Sequence, residues 1–133
     1  MAHSVALIDN LGVVVLRYRG SVNFTEIRLA FDELLQIPGF REGLKLVADF
    51  RQSETPLTGA EVKSLADYGS LTDAKWGTTK WAIVASNDVT YGLARMYEIL
   101  TTGYRVVTHV FRDAAEADDW LGLGVPIAEL LAE

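Results

Sequence analysis

The stretch Lys80–Leu100, KWAIVASNDVTYGLARMYEIL, limits the possible folds more than any other part of the chain. Trp81–Ala85 is an apolar run of strand length, and Ser86-Asn87-Asp88 is a polar turn able to cap a helix. Beyond it, Val89, Leu93, Met96, Tyr97 and Leu100 recur on one face of a 3.6-residue period, and Thr101-Thr102-Gly103 closes the helix. A buried strand running straight into an amphipathic helix is half of a βαβ unit. Such units place their ligands at the carboxyl ends of the strands.

The remaining chain repeats the pattern. Val5–Asp9 and Val13–Arg19, separated by Asn10-Leu11-Gly12, read as a β-hairpin, with Gly20 and Ser21 breaking the second strand. Asn23 and Glu26 form a capping box for a helix with Ile27, Ala30, Phe31, Leu34 and Leu35 on one stripe, stopped by Pro38-Gly39. Leu44–Phe50 is a third strand, and Arg51–Leu57 a polar loop. Thr58 and Glu61 cap a second helix carrying Val62, Leu65, Ala66 and Leu71, and Thr72–Thr79 reads as a loop around Trp76 and Gly77. After the organising stretch, Tyr104–Arg112 is a fifth strand. Asp113 and Glu116 cap a short helix with Ala117, Trp120 and Leu121 inside, and Pro126–Ala132 reads as a last helical turn. The sum is an α/β chain with a five-stranded mixed sheet, an N-terminal hairpin followed by parallel strands, and four or five helices. Right-handed crossovers between successive neighbours place the crossover helices on one face, so the opposite face needs another cover. Arg105, Val107, His109 and Phe111 share one parity of the fifth strand, as Arg17 and Arg19 do with Val13 and Val15. That mixture suits a subunit interface, a ligand platform or a solvated face.

Composition narrows the functional classes. A chain of 133 residues, half of them hydrophobic, reads as one domain with a single sizeable core. Its apolar runs fall far short of the roughly 20 residues of a membrane span, and MAHSVALIDN has no basic, long-apolar signal pattern, so a cytoplasmic location is expected. A net charge of −6 opposes nucleic acid and anionic membranes. No cysteine is present, which excludes thiol catalysis and cysteine-held metals, and the two histidines give no ligand spacing. No cofactor or metal is expected.

Several motifs resemble a known family. The run Gly92-Leu93-Ala94-Arg95-Met96 after an Ala-Ile-Val-Ala strand carries part of the likeness, with Val110-Phe111-Arg112-Asp113, Glu116-Ala117 and Trp120-Leu121. Pro38-Gly39-Phe40 and Asp49-Phe50-Arg51 add to it. Together they resemble the bacterial SpoIIAA-like proteins, relatives of the STAS domains of anti-sigma-factor antagonists, with a fold akin to the lipid-binding CRAL-TRIO domains. The resemblance implies a right-handed βα superhelix and no established activity. STAS antagonists carry a phosphorylatable serine in an Asp-Ser-Ser-Gly-like segment between the third strand and second helix. Here that segment reads DFRQSETPLTGAE, which lacks the motif but offers Ser53, Thr55 and Thr58 as a phosphorylation or partner surface. A phosphate on Thr58 would meet a helix N-terminus but also Glu54 and Glu61, and a plain N-cap explains Thr58 more simply.

The other candidate residues are Arg95 and Tyr91, Asp49 and Asp88, and Trp76. Arg95 with Tyr91 offers a guanidinium fork for a carboxylate or phosphate near the strand ends; an Arg95–Glu98 surface pair is the competing reading. Asp49 and Asp88, both read at carboxyl ends of strands, could form an acid–base pair or cap loops. Trp76, read in a loop, offers an exposed aromatic contact or a loop-packing role. No nucleophile motif or phosphate loop accompanies them. Three functions follow from the sequence: a non-catalytic regulatory, partner-binding module; a carrier or sensor of a small amphiphile bound between the sheet and the helix Val89–Leu100 or its neighbour; and an enzyme built on Asp49, Asp88 or Arg95. Self-association, most simply a symmetric dimer, is expected from the half-apolar sheet face and the apolar tail Val125–Leu131.

Overall fold

Two runs of β-branched and aliphatic residues meet first. β1 (His3–Ile8) pairs antiparallel with β2 (Val13–Ser21), from Ile8 opposite Val13 to His3 opposite Tyr18. A single 3-10 turn, Asp9–Leu11, joins them and closes on Gly12 at φ 64°, a left-handed geometry that glycine adopts without steric cost. In the computed structural model, which describes residues 3–126, the chain then alternates. The succession is α1 (Phe24–Leu35), β3 (Lys45–Glu54), α2 (Gly59–Trp76), β4 (Thr79–Val84), α3 (Asp88–Leu100), β5 (Val106–Phe111) and α4 (Ala114–Leu121). Strands stand in the sheet in sequence order, and β2 to β5 run parallel. The expected mixed sheet with an N-terminal hairpin is the observed one.

The two parities of the strands build two cores. Val14, Leu16 and Tyr18 of β2, Leu46, Ala48 and Phe50 of β3, and Trp81 and Ile83 of β4 face Ile27, Phe31, Leu65, Ala94 and Tyr97 of the three crossover helices. Val13, Val15, Val47, Ala82 and Val84 point the other way and meet Ala117, Leu121 and Leu123. α4 follows the last strand, so no crossover constrains it, and it supplies the second cover that the parallel order demands. Lys45 and Lys80, at the starts of β3 and β4, donate to the Leu121 and Trp120 carbonyls at 2.5 and 3.0 Å. Cations at a helix carboxyl end satisfy its orphan carbonyls and oppose its dipole. Along β5, Val107 and His109 remain exposed and Phe111 half-buried, with Trp120 standing against both rings.

Local capping matches the sequence closely. Asn23 with Glu26, and Thr58 with Glu61, each exchange both capping-box hydrogen bonds. Asn87 accepts from the Thr90 N–H, and Asp113 from the Glu116 N–H. Three differences from the sequence reading bear on the site. β3 continues through Arg51–Glu54 because β2 also continues, pairing Gly20 with Ser53 and Ser21 with Glu54 beyond an irregularity at Arg17/Arg19. Polar side chains hide such an extension, since backbone pairing does not require apolar residues. In α3 the buried stripe is Thr90, Ala94 and Tyr97, while Val89 is 69% exposed and Leu100 lies at the rim. The helix is turned toward its small residues, which let it approach the sheet.

The third difference concerns Trp76. It is not on a loop: α2 runs on to it, and Val62, Leu65, Ala66, Gly69, Thr72 and Trp76 form one continuous buried stripe. Gly69 sits mid-helix because a Cβ there would lie 2.8 Å from the Tyr97 hydroxyl. Trp76 is 1% exposed, edge-on to Phe40 and Trp81 at 5.0 and 4.9 Å between ring centres. The expected exposed aromatic contact is a core anchor. The proposed last turn, Pro126–Ala132, lies almost wholly outside the described residues. Trp76→Ala is expected to cost about 3–5 kcal/mol in urea unfolding, where a surface-loop residue would cost about 0.5 kcal/mol or less.

Candidate functional site

The sheet face that carries the three crossover helices encloses a cavity of about 90 Å³. Its floor is Leu16, Tyr18, Leu46, Ala48, Phe50, Trp81 and Ile83 of the strands. Its roof comes from α1, α2 and α3, chiefly Phe31, Leu65, Ala94 and Tyr97. Nearly the whole wall surface is apolar. Of all the lining residues only Leu57, on the segment before α2, and Leu93, on the second turn of α3, are more than buried. The mouth therefore lies between them. Both sit at the carboxyl ends of the parallel strands, the place where α/β sheets bind ligands.

Polar groups are few but unusual. The Tyr18 hydroxyl, the Trp81 indole N–H and the Thr90 hydroxyl are buried, belong to lining residues, and have no hydrogen-bond partner among the described residues. Strand register separates them: Trp81 pairs with Leu46 near the amino end of the sheet, whereas Tyr18 follows Arg17, which pairs with Asp49 further along. Thr90, in the first turn of α3, lies at the carboxyl end with Tyr18. Each unpaired buried hydroxyl costs about 1–3 kcal/mol.

The residues singled out from sequence fall elsewhere. Arg95 forms an ion pair with Glu98, whose other oxygen accepts from the Val110 N–H at 2.9 Å, while His109 Nδ1 stands 3.5 Å away. This is the competing surface-pair reading, and it ties α3 to the outer edge of β5. Tyr91 does not line the cavity: its ring lies under the Arg112 guanidinium at 4.2 Å, and Arg112 pairs with Asp88 at 2.7 Å. Asp49 is not at a strand end. It is buried within β3 on the α4 side, holding Arg51 at 3.0 Å and Arg17 at 3.8 Å. With Asp88 exposed beside Arg112, each aspartate has its own basic partner, and the two form no acid–base pair. Ser53 and Thr55 are buried, their hydroxyls 3.2 Å apart, and Thr55 lines the cavity. Thr58 is exposed as the cap of α2. Sequence reasoning missed Tyr18, Leu57 and Thr90; only the Thr90-Ala94-Tyr97 spacing was there to be read.

With the arrangement in hand, comparison with known proteins is informative. No protein-family model matches the sequence, and no curated protein matches it significantly. Among solved structures, an uncharacterised protein of the DUF3478 family from Shewanella loihica, described as having a SpoIIAA-like fold, aligns with a TM-score of 0.55. The alignment covers 90% of this chain and 92% of that one at 15% identity. The fold is SpoIIAA-like. This agrees with the resemblance read from the sequence, whereas its CRAL-TRIO extension is not borne out. Within this SpoIIAA-like sheet, no group of three or more His, Asp or Glu side chains among the described residues could hold a metal ion. No helix among them is long and apolar enough to cross a membrane.

Two outcomes follow. Burial pushes the Tyr18 and Tyr97 phenols well above the ordinary tyrosine value, with Glu33 and Glu26 adding to Tyr18, and Tyr104 and Asp73 to Tyr97. Raised phenol pKa values contribute stability that is present below about pH 10 and lost as pH rises further. An alkaline titration at 295 nm is expected to ionise fewer than the five tyrosines before a cooperative unfolding step releases the rest. Separately, Arg95→Ala is expected to change stability by about 0.5 kcal/mol or less, and Glu98→Ala, which uncaps the Val110 N–H, by about 1–2 kcal/mol in the same urea assay.

Proposed function

We propose that this chain is a binding module, a carrier or sensor, that takes the apolar end of a small amphiphile into the cavity between the sheet and α1–α3. The supporting observation is the cavity itself. At about 24 cal/mol per Å³, an unfilled void of about 90 Å³ costs roughly 2 kcal/mol of packing. Against a stability of about 5–15 kcal/mol this is a large handicap, and a ligand that fills the space would remove it. A mouth at the carboxyl ends of the strands gives such a ligand a route in.

No acid, base and nucleophile converge on the cavity wall, which favours binding over catalysis. The regulatory, partner-binding reading keeps one support: Thr58 is exposed beside Leu57, so occupancy at the mouth would be felt at the α2 cap.

The test is saturable uptake of xenon, followed by ¹²⁹Xe NMR, in the parent protein and in Ala48→Leu. Uptake is expected in the parent and is expected to vanish in the variant, whose added side chain fills the void while native circular dichroism is kept. Absence of uptake by the parent protein would sink the reading.

A further inference from the structure

We propose that the outward face of α3 is a self-association surface, through which two copies of this chain pair antiparallel about a two-fold axis at Gly92. Three observations carry this: an apolar helix face with no cover, a mid-helix glycine that nothing within the chain requires, and a self-complementary pair of charges.

α3 has two apolar stripes. Thr90, Ala94 and Tyr97 face the sheet. At 100° per residue, Val89, Leu93, Met96 and Leu100 fall within an arc of about 60°, turned roughly 90° from the buried stripe. Val89 and Leu100 are exposed, Leu93 and Met96 half-buried, and Ile99 stands exposed beside them. Of the seven exposed large hydrophobic residues among those described, Val89, Ile99 and Leu100 share this one helix, so the apolar surface is gathered here rather than scattered. A helix that is apolar on more than one side calls for a cover on each.

Gly92 marks the crossing point. Glycine in mid-helix costs about 0.5–1 kcal/mol relative to alanine, so its presence needs a reason. Gly69 of α2 has one in the Tyr97 hydroxyl. Gly92 has none within the chain: it is exposed, and a Cβ there would meet nothing within 4 Å. Against a second helix, the missing side chain lets two backbones approach closely. With the axis at Gly92, Val89 of one copy packs on the partner's Met96.

Charge selects a second copy as the occupant. Asp88 and Arg95 lie seven residues apart, about two helical turns, on one flank of the apolar face. Antiparallel pairing about Gly92 brings each Asp88 to the partner's Arg95, twice over, as an isologous contact requires. Both side chains are available: Asp88 is 91% exposed beside Arg112, and Arg95 is 51% exposed beside Glu98. Exposed pairs of this kind hold weakly and can share a further partner. A membrane surface fits less well, because interfacial helices carry polar faces rich in Lys and Arg, whereas α3 has one arginine in a chain of net charge −6. The 13 residues of α3 span about 20 Å, which places the contact at the small end of protein interfaces and makes the association weak and concentration-dependent. Leu93 also stands at the cavity mouth, so the partner's helix lies beside that mouth.

The experiment is sedimentation equilibrium from micromolar to millimolar protein. The average mass is expected to rise from one chain toward two. Gly92→Leu, whose side chain meets nothing within a single copy, is expected to retain thermal stability and to weaken association about tenfold or more. Asp88→Arg and Arg95→Asp each set like charges against one another and are expected to weaken it about three- to tenfold. An equimolar mixture of those two variants restores opposite charges at both contacts and is expected to recover the parent's association. A parent protein that stays monomeric at millimolar concentration would overturn the proposal. Undiminished association of Gly92→Leu would do the same, pointing to another surface such as the Val107 and Phe111 rim of β5, and so would a mixture that associates no better than its components. Gly92, Asp88 and Arg95 do not line the cavity, so these outcomes judge the interface and leave the cavity reading to its own test.

Discussion

Handedness of the crossovers is the constraint on which this structure rests. Four parallel strands laid side by side in sequence order, joined by right-handed connections, must receive all their crossover helices on one face. That face gains α1, α2 and α3 and becomes the larger core. The opposite face is left to whatever the chain provides after its last strand. The short amphipathic α4 meets the need, held by Ala117 and Leu121 and fastened by two lysines that reach its terminal carbonyls.

Three helices spanning one sheet face do not fill it evenly. Aromatic rings congregate where Phe31, Trp76, Trp81 and Tyr97 stand edge to face, a preferred arrangement of their quadrupoles. Alanines at positions 48 and 94 leave room beside them, and that room is the cavity. Carboxylates have a structural task in the same architecture. Asp73 accepts from the Arg105 and Val106 N–H groups, and Glu98 from that of Val110, so the outer edge of β5 has side-chain partners for these donors. An edge treated in this way is a poor template for an added strand. Asp49 serves inside the sheet, where Arg17 and Arg51 compensate its burial.

Particular residues show where sequence was sufficient. Asn23/Glu26, Thr58/Glu61 and Asp113/Glu116 announced three helix starts, because a cap is decided within four residues of chain. Parity along β2 sorted Val14, Leu16 and Tyr18 from Val13 and Val15 correctly. The failures share one origin. Trp76 was read in a loop with Gly77, yet α2 runs on to it, and Gly69 within that helix admits the Tyr97 hydroxyl from another helix. Val89 looked like an inner residue because its spacing suits a stripe, yet the sheet selected the smaller Thr90 and Ala94. Asp49 looked like a strand end because its polar successors conceal three further paired residues, Gln52, Ser53 and Glu54.

By itself, then, the sequence determined the element order, the helix starts and the two-sided sheet, since each of these follows from neighbours within a turn or a strand. Its family resemblance reached the SpoIIAA-like fold as well. Only the tertiary structure decided that Arg95 belongs to Glu98, that Tyr91 lies under Arg112, and that an apolar cavity opens between Leu57 and Leu93. A void is a property of how several elements fail to touch, set by helix rotation and by small residues far apart in the chain, and no local pattern carries that information.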